Sequence, residues 1–368
     1  MKDIGGFANE IVAKKAPIFG ALSDYCSVAA AFREARLMKK CAAILLLFVF
    51  FCAGCSSKEP EQQVTYALGT ECIQTVYEGD PSALEQGQDL LYEIDSVLNF
   101  YREGSEINEI NQNSGQTLKV SQKTARVIGE SLEISRLSGG AFDITMGAVS
   151  ELWGFSGDPS VPAEKNLQEA LATVGYEKLS LNGEDFSAQQ CQKIDLGGIG
   201  KGYAADELAK LYREKGVTSA IINLGGNVYV LGRRPDGQKF RVGIVDPLDT
   251  SRYFAWIELE DVSIVTSGTY EKNFEENGTL YHHILDPKTG YPVENSLASV
   301  SILSKNSMLA DGLSTAAFVL GEEAGMEMIN EIDGVEAVFV TKDKRILYSE
   351  GFSDQYELHI EEETGYVS

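Results

Sequence analysis

Residues 195–206 read Asp-Leu-Gly-Gly-Ile-Gly-Lys-Gly-Tyr-Ala-Ala-Asp, with four glycines between positions 197 and 202. The run before them, 192–196, is expected to be a buried strand, and residues 201–215 a helix stopped by Gly216. A glycine loop between strand and helix lets a ligand approach the backbone, and the free N–H groups of a helix N-terminus favour phosphate. Lys201 adds a positive charge at the same place. The loop is not a Walker A motif, because Gly202 follows the lysine where Ser or Thr is needed. Without other residues to help, the segment also fits a tight strand-to-helix turn with an exposed lysine.

Outward from this loop, strands are expected at 64–77, 219–231, 240–245, 253–259, 263–266 and 298–303, with a terminal hairpin of 337–341 and 345–348. Helices are expected from Pro81-Ser82 through Leu98, after a Ser121 cap, from Pro162 to near Gly175, over 307–320 with Ser307 as cap, and over 322–332. Several consecutive strands have no helix between them. That favours an α+β fold, with mixed or antiparallel sheets flanked by helices, over a doubly wound parallel sheet. No low-complexity linker divides residues 64–350, so one large domain is expected, with a C-terminal tail at 351–368.

The 368 residues are 43% hydrophobic and 23% charged, enough apolar material for a real core and too much for a disordered chain. The net charge of −24 repels phosphate backbones and argues against a nucleic-acid partner. Near the N-terminus, Met38-Lys39-Lys40 precedes an uncharged apolar run, 41–51, and then Cys52-Ala53-Gly54-Cys55. The run is shorter than the ~20 residues that span a bilayer. Positive, apolar and small-residue segments in this order make a secretory signal. Small residues before Cys55 resemble a bacterial lipobox, so 38–54 is expected to be a lipoprotein signal peptide and 55–63 a tether. Cys55 would carry the lipid, and the protein would be extracytoplasmic and anchored to the bacterial membrane. Met38 then reads as the true start, with 1–37 an upstream extension. Cys72 and Cys191 remain in the body; their separation predicts neither a disulfide nor a metal site.

Three further segments carry chemistry. In Asp311-Gly-Leu-Ser-Thr315 the carboxylate and hydroxyl are four apart, on one helix face, where they suit a hard cation such as Mg²⁺ or are simply solvated. Two of the chain's three histidines are His282 and His283; adjacent strand residues point to opposite faces, so one can face a pocket as a general base. A structural histidine satisfied by backbone is the alternative. Ser138-Gly-Gly-Ala-Phe-Asp-Ile-Thr145 with Leu152-Trp-Gly-Phe155 forms either an aromatic ligand pocket or a helix end leading into packed aromatics.

Together with Gly69-Thr70, Ser105-Glu-Ile-Asn-Glu-Ile-Asn111, Asn223-Leu-Gly-Gly-Asn227 and His283-Ile-Leu-Asp-Pro287, these segments occur in the order seen in the FAD:protein FMN transferases. The chain closely resembles this ApbE family over about residues 64–350. The resemblance implies an ApbE-like, T-fold-related domain and a Mg²⁺-dependent transfer of FMN from FAD to a Thr or Ser hydroxyl of another protein, releasing AMP. It implies that Leu68, Tyr101, Ala141, Phe142, Asp143, Asp195, Lys201 and Leu285 contact FAD. The Gly198 carbonyl, Asp311 and Thr315 would hold the metal. His283 would be the base, and Lys201 would help neutralise the pyrophosphate. Acceptors would be subunits of membrane redox complexes, of the NADH:quinone reductase or RNF type, or extracellular flavoproteins. Leu68 stands where the family usually has Met, and Gly200 and Gly312 where it usually has Ala; no polar ligand is lost. If water replaced the acceptor hydroxyl, the same site would be an FAD pyrophosphatase. A non-catalytic flavin-binding lipoprotein would need neither the metal ligands nor the base.

Overall fold

Apolar residues on both sides of a strand require cover on both faces of its sheet, and this chain supplies two kinds of cover. The computed structural model describes residues 59–367. The expectations for 1–37, for 38–54 and for Cys55 lie outside them. In chain order the elements are β1 (Glu61–Ala67), β2 (Thr70–Glu78), α1 (Ala83–Leu98), α2 (Glu106–Gln112), β3 (Thr117–Lys119), α3 (Gln122–Leu137), α4 (Gly147–Trp153) and α5 (Glu164–Leu171). Next come β4 (Ser180–Asn182), β5 (Asp185–Ser187), α6 (Gly200–Glu214), β6 (Ser219–Leu224), β7 (Asn227–Gly232), β8 (Phe240–Val245), β9 (Tyr253–Leu259) and β10 (Val262–Gly268). The chain continues with β11 (Asn273–Glu276), β12 (Thr279–His282), β13 (Leu297–Ser304), α7 (Ser307–Leu320), α8 (Glu322–Asn330), β14 (Val335–Thr341), β15 (Ile346–Tyr348), α9 (Phe352–Gln355) and β16 (Leu358–Ile360).

The main sheet has the order β1-β2-β6-β7-β10-β13-β14-β15, and every neighbouring pair in it is antiparallel. The fold is therefore α+β. Strand β14 shows how the layers form. Val335, Ala337 and Phe339 face a helical core, while Val338 and Val340 face a second core, the period-2 alternation of a strand buried on both sides. The second core lies between the main sheet and a three-stranded sheet, β16-β9-β8, with Phe240, Phe254 and Phe352 among its buried side chains. Residues 352–355 and 358–360 thus belong to the fold, where a tail was expected, because their apolar side chains complete this second core.

Other expectations shift for local reasons. The strand expected at 64–77 is a hairpin broken at Leu68-Gly69, both at positive φ (53° and 71°). The strand expected at 219–231 is likewise two strands around Gly225-Gly226, at φ 59° and 92°. A two-residue hairpin loop of type I′ has positive φ at both positions, and alternation runs through such a loop unbroken. Residues 192–196 form no strand; only Lys193 bridges, to Met146. The cap of α7 is Asn306, whose side chain accepts from the Leu309 N–H, and Ser307 is the first helical residue. The helix expected after Pro162 covers Glu164–Leu171 and ends before Gly175. Ser121 does cap α3, accepting from the Thr124 N–H, and Gly321 ends α7 at φ 84°.

Candidate active site

Helix α7 is apolar almost all round, and from Ser307 to Phe318 nearly every side chain is buried, as expected of a helix with other elements on every side. It lies on the helical face of the main sheet, packed against α3 and α6. A polar residue on such a helix is costly unless it is bonded. Asp311 is 3% exposed and meets that condition. Its Oδ2 accepts from the Gly202 N–H at 2.8 Å, and its Oδ1 is 3.6 Å from the Lys201 Nζ. The contact requires α6 and α7 almost to touch: a Cβ on Gly202 would collide with the Ser307 carbonyl and stand 2.7 Å from the Met308 Cα. Asp206, one turn further along α6, closes the same junction by accepting from the N–H groups of Ser307 and Met308, each at 2.9 Å. Burial pushes the Asp206 carboxyl up to about 6, against the pull of those two bonds.

The glycine loop folds over this junction. Asp195 accepts from the Gly197 N–H at 2.9 Å, and Lys201 Nζ lies 3.5 Å from the Gly197 carbonyl. Burial raises the Asp195 carboxyl above its ordinary range, opposed by Gly197 and by the nearby lysines, Lys272 and Lys201. A Cβ on Gly198 would stand 3.7 Å from the Thr315 hydroxyl and 3.2 Å from the Phe142 ring. Gly198, Asp311, Thr315 and Lys201 therefore share one small region. Asp311 raises the Lys201 ammonium above its usual value, and the carboxylates of Glu271 and Asp195 add to this. The Thr315 hydroxyl is 3.5 Å from Ser267 at the end of β10, whose own hydroxyl bonds Ser314 at 2.7 Å.

The two histidines separate. His282, 6% exposed, bonds the Val293 carbonyl through Nε2 at 3.0 Å and sits edge-on to Phe318. His283 follows the end of β12, with its backbone N–H donating to the Lys272 carbonyl at 3.0 Å. Its Nδ1, like that of His282, is buried with no partner. Burial first, then the positive charges of Lys201 and Lys272, lowers the His283 imidazole to about 3. An imidazole in that setting is neutral at physiological pH and has a lone pair to offer.

Phe142 is buried in the helical core, and Ala141 is buried beside it in the chain. Asp143 spends both oxygens on structure: Oδ1 accepts from the N–H and hydroxyl of Thr145 at 2.8 and 2.6 Å, and Oδ2 from the Tyr176 N–H at 2.9 Å. Tyr101 is exposed, packs edge-on to Phe100, and feels the Asp195 charge. Leu68 packs on the helical core from its hairpin loop, and its N–H donates to Asp95 at 2.9 Å. Leu285 is buried in a third core around Trp153. That core answers the aromatic question raised by 152–155: Trp153 stacks on Phe155, meets Tyr291 edge-on and donates its indole N–H to the Gly290 carbonyl at 2.8 Å. The aromatics are packed on one another and pin the 286–290 turn.

Glu271, Ser267 and Asp206 escaped the sequence reading. Glu271 follows a strand end in Gly268-Thr-Tyr-Glu-Lys272 with no periodic or motif signal, and it interacts electrostatically with Lys201 and Asp311. Asp206 stands five residues beyond Lys201 on the same helix, not at the i,i+3 or i,i+4 spacing that would place the two on one face. Among the described residues both cysteines are free, Cys72 buried and Cys191 exposed.

The profile of the ApbE family matches residues 68–339. An FAD:protein FMN transferase from Treponema pallidum is 34% identical, covering 84% of this chain and 92% of that protein. A second from Vibrio cholerae is also 34% identical, covering 82% and 92%. Among solved structures, the ApbE protein of Thermotoga maritima superposes with a TM-score of 0.75 at 30% identity, covering 80% of this chain and 98% of that one. The flavin transferase ApbE of Vibrio cholerae gives 0.73 at 30% identity, covering 80% and 99%. Matched by the family profile over residues 68–339 and by relatives and solved structures over most of its length, on the same α+β frame, this chain belongs to the ApbE family.

Proposed function

We propose that this protein transfers FMN from FAD to a Thr or Ser hydroxyl of an acceptor protein, with Mg²⁺, releasing AMP. The observation that carries the reading is the meeting of Gly198, Lys201, Asp311 and Thr315 at the α6–α7 junction. A carboxylate, a hydroxyl and a backbone carbonyl are the oxygen donors a hard cation takes. Among the described residues no group of three or more His, Cys, Asp or Glu gathers as a metal cage, so the fit is to a cation that completes its shell with water and phosphate. When bound, Mg²⁺ would neutralise pyrophosphate charge and act as a Lewis acid.

The chain's own residues do the rest. The Lys201 ammonium would face the phosphates, whereas the Gly200 and Gly202 N–H groups at the start of α6 are already given to the Leu196 carbonyl and to Asp311. Neutral His283 takes the proton of the acceptor hydroxyl through its free ring nitrogen. The acceptor oxygen then bonds to the phosphorus of the FMN half, and the bridging P–O bond breaks toward AMP, which leaves with the bridging oxygen. An incoming diphosphate would offset the positive charges of Lys201 and Lys272 and so make His283 more basic at the moment it is needed.

The test is incubation with FAD, Mg²⁺ and a candidate acceptor, followed by the acceptor's intact mass. The expected result is an acceptor heavier by one FMN less water, AMP in solution, and neither product in EDTA. Full turnover in EDTA would refute the metal, and AMP with an unmodified acceptor would make the enzyme a hydrolase. The lipobox at 52–55 supports an extracytoplasmic, membrane-anchored enzyme acting on membrane redox proteins or extracellular flavoproteins. Among the described residues no helix is long and apolar enough to cross a membrane. Cys55→Ser should therefore move the protein from the membrane fraction to the soluble fraction; retention after a high-salt wash would remove the anchor's support.

A further inference from the structure

Lys201 is paired with the carboxylate on which the proposed cation depends. Its ammonium is 3.6 Å from Asp311 Oδ1, and Asp311 is almost wholly buried. The other carboxylate oxygen is held by the Gly202 N–H at 2.8 Å. Asp311 therefore cannot follow the lysine or turn away from it; the backbone of α6 keeps it aimed. An ammonium and a divalent cation cannot share one fixed carboxylate without strong repulsion, since like charges a few ångströms apart in a partly dry pocket are poorly screened. One of them must leave.

Lysine is the mobile partner, a point charge on a flexible four-carbon stem. A second carboxylate waits for it. Glu271 stands in the loop after β10, its Oε1 3.6 Å from where a Cβ on Gly226 would lie, and it interacts with both Lys201 and Asp311. The next residue, Lys272, is tied to the His283 backbone, so this loop is a wall of the site. Glu271 makes none of the bonds that Asp311 accepts; burial raises its carboxyl, and the nearness of Lys201 opposes that.

We propose that Lys201 occupies the cation's place on Asp311 until the cation arrives, and that Glu271 is a positioning residue that receives the displaced ammonium. This rests on the reading of Asp311 as the metal carboxylate. Glu271 touches no reacting atom and acts through Lys201.

The test is Mn²⁺ binding to the full chain without nucleotide, read by the electron paramagnetic resonance signal of free Mn²⁺. Lys201→Met should bind Mn²⁺ about tenfold tighter than wild type, within the range of couplings measured between contacting charged groups. Lys201→Arg, which keeps a competing cation, should remain near wild type. Glu271→Gln should bind several-fold more weakly, because the lysine has lost its alternative seat. Added to Lys201→Met, Glu271→Gln should change affinity by less than about twofold, since no lysine is left to reseat. Unchanged or weaker binding in Lys201→Met overturns the proposal. So does an equal loss from Glu271→Gln in both backgrounds, which would make Glu271 a source of general negative potential. Asp311→Asn separates the two readings: Mn²⁺ binding that survives it defeats the metal assignment itself, whereas loss of binding there with no gain in Lys201→Met defeats only the exchange.

Discussion

His282 and His283 are chemically identical and adjacent, yet their surroundings assign them different work. His282 is filled in, bonded to Val293 and packed on Phe318. Both rings leave Nδ1 buried without a partner, and what sets His283 apart is its place beside two lysines, Lys201 and Lys272. His283→Ala should therefore slow FMN transfer by ~10²–10⁴-fold, the usual worth of a general base, with FAD affinity little changed. His282→Ala should act chiefly on stability, lowering the urea midpoint, because it leaves a cavity and an unpaired carbonyl. Flavin fluorescence quenching gives the affinity, and in-gel fluorescence of the acceptor gives the transfer. Equal loss of transfer in both variants would assign the pair a packing role. Period-2 alternation foretold that the two rings face different ways; it did not say which one faces Lys201. At Leu68 the chain holds a bulky residue at φ 53°, a conformation that costs roughly 1–2 kcal/mol for an L-residue, and propensity alone would have placed glycine there.

At the scale of elements, the junction of α6 and α7 carries the site, and Asp206 is its clasp. Two backbone donors of α7 depend on its carboxylate. Asp206→Asn keeps one acceptor and should cost about 1 kcal/mol, as for a weakened helix cap. The sign with pH follows from the raised carboxyl, near 6 in the fold against an ordinary value near 3.8. A raised group gives stability that is fully present below the ordinary value and lost as pH rises through the folded one. The wild type should thus exceed Asp206→Asn in unfolding free energy most at pH 4, and the gap should narrow between about pH 4 and pH 6. Urea titrations across that range measure it; a gap that widens with pH would show the ionised cap to be the stronger form. On the side of α7 toward α3, a Cβ on Gly312 would meet the flexible end of the Ile134 side chain.

Across the whole molecule, the main sheet separates two cores with different tasks. The helical core holds up the site, and the second core, under β8, β9 and β16, touches none of the residues assigned to it. Phe254 is fully buried there, 4.6 Å from the Tyr366 ring. Phe254→Ala should cost about 3–5 kcal/mol, as large-to-small changes in a tight core do. At temperatures where the variant is still folded, its FAD affinity should match wild type. A proportionate fall in affinity would mean that the third layer is coupled to the site through the sheet.

Local patterns along the chain were enough for the α+β class, for most helices and for the order of the chemical motifs. These properties depend on near neighbours: spacing of apolar residues, a serine before a helix, glycine after one. The hairpins at 68–69 and 225–226 were hidden because alternation continues across a two-residue turn and only backbone φ distinguishes the turn from the strand. The loop at 192–196 looked like a strand because burial alone selects apolar residues, whether or not a ladder forms. Glu271 and Asp206 could be recognised only in three dimensions. Glu271 lies in the sequence 40 residues before Asp311, and a carboxylate has no local signature for the lysine or the helix end it will meet. Which of two histidines stands beside the lysines, and which carboxylate holds Lys201, were decided when the fold brought β10, the β11–β12 hairpin and the two helices together, since charge and burial act through space and not along the chain.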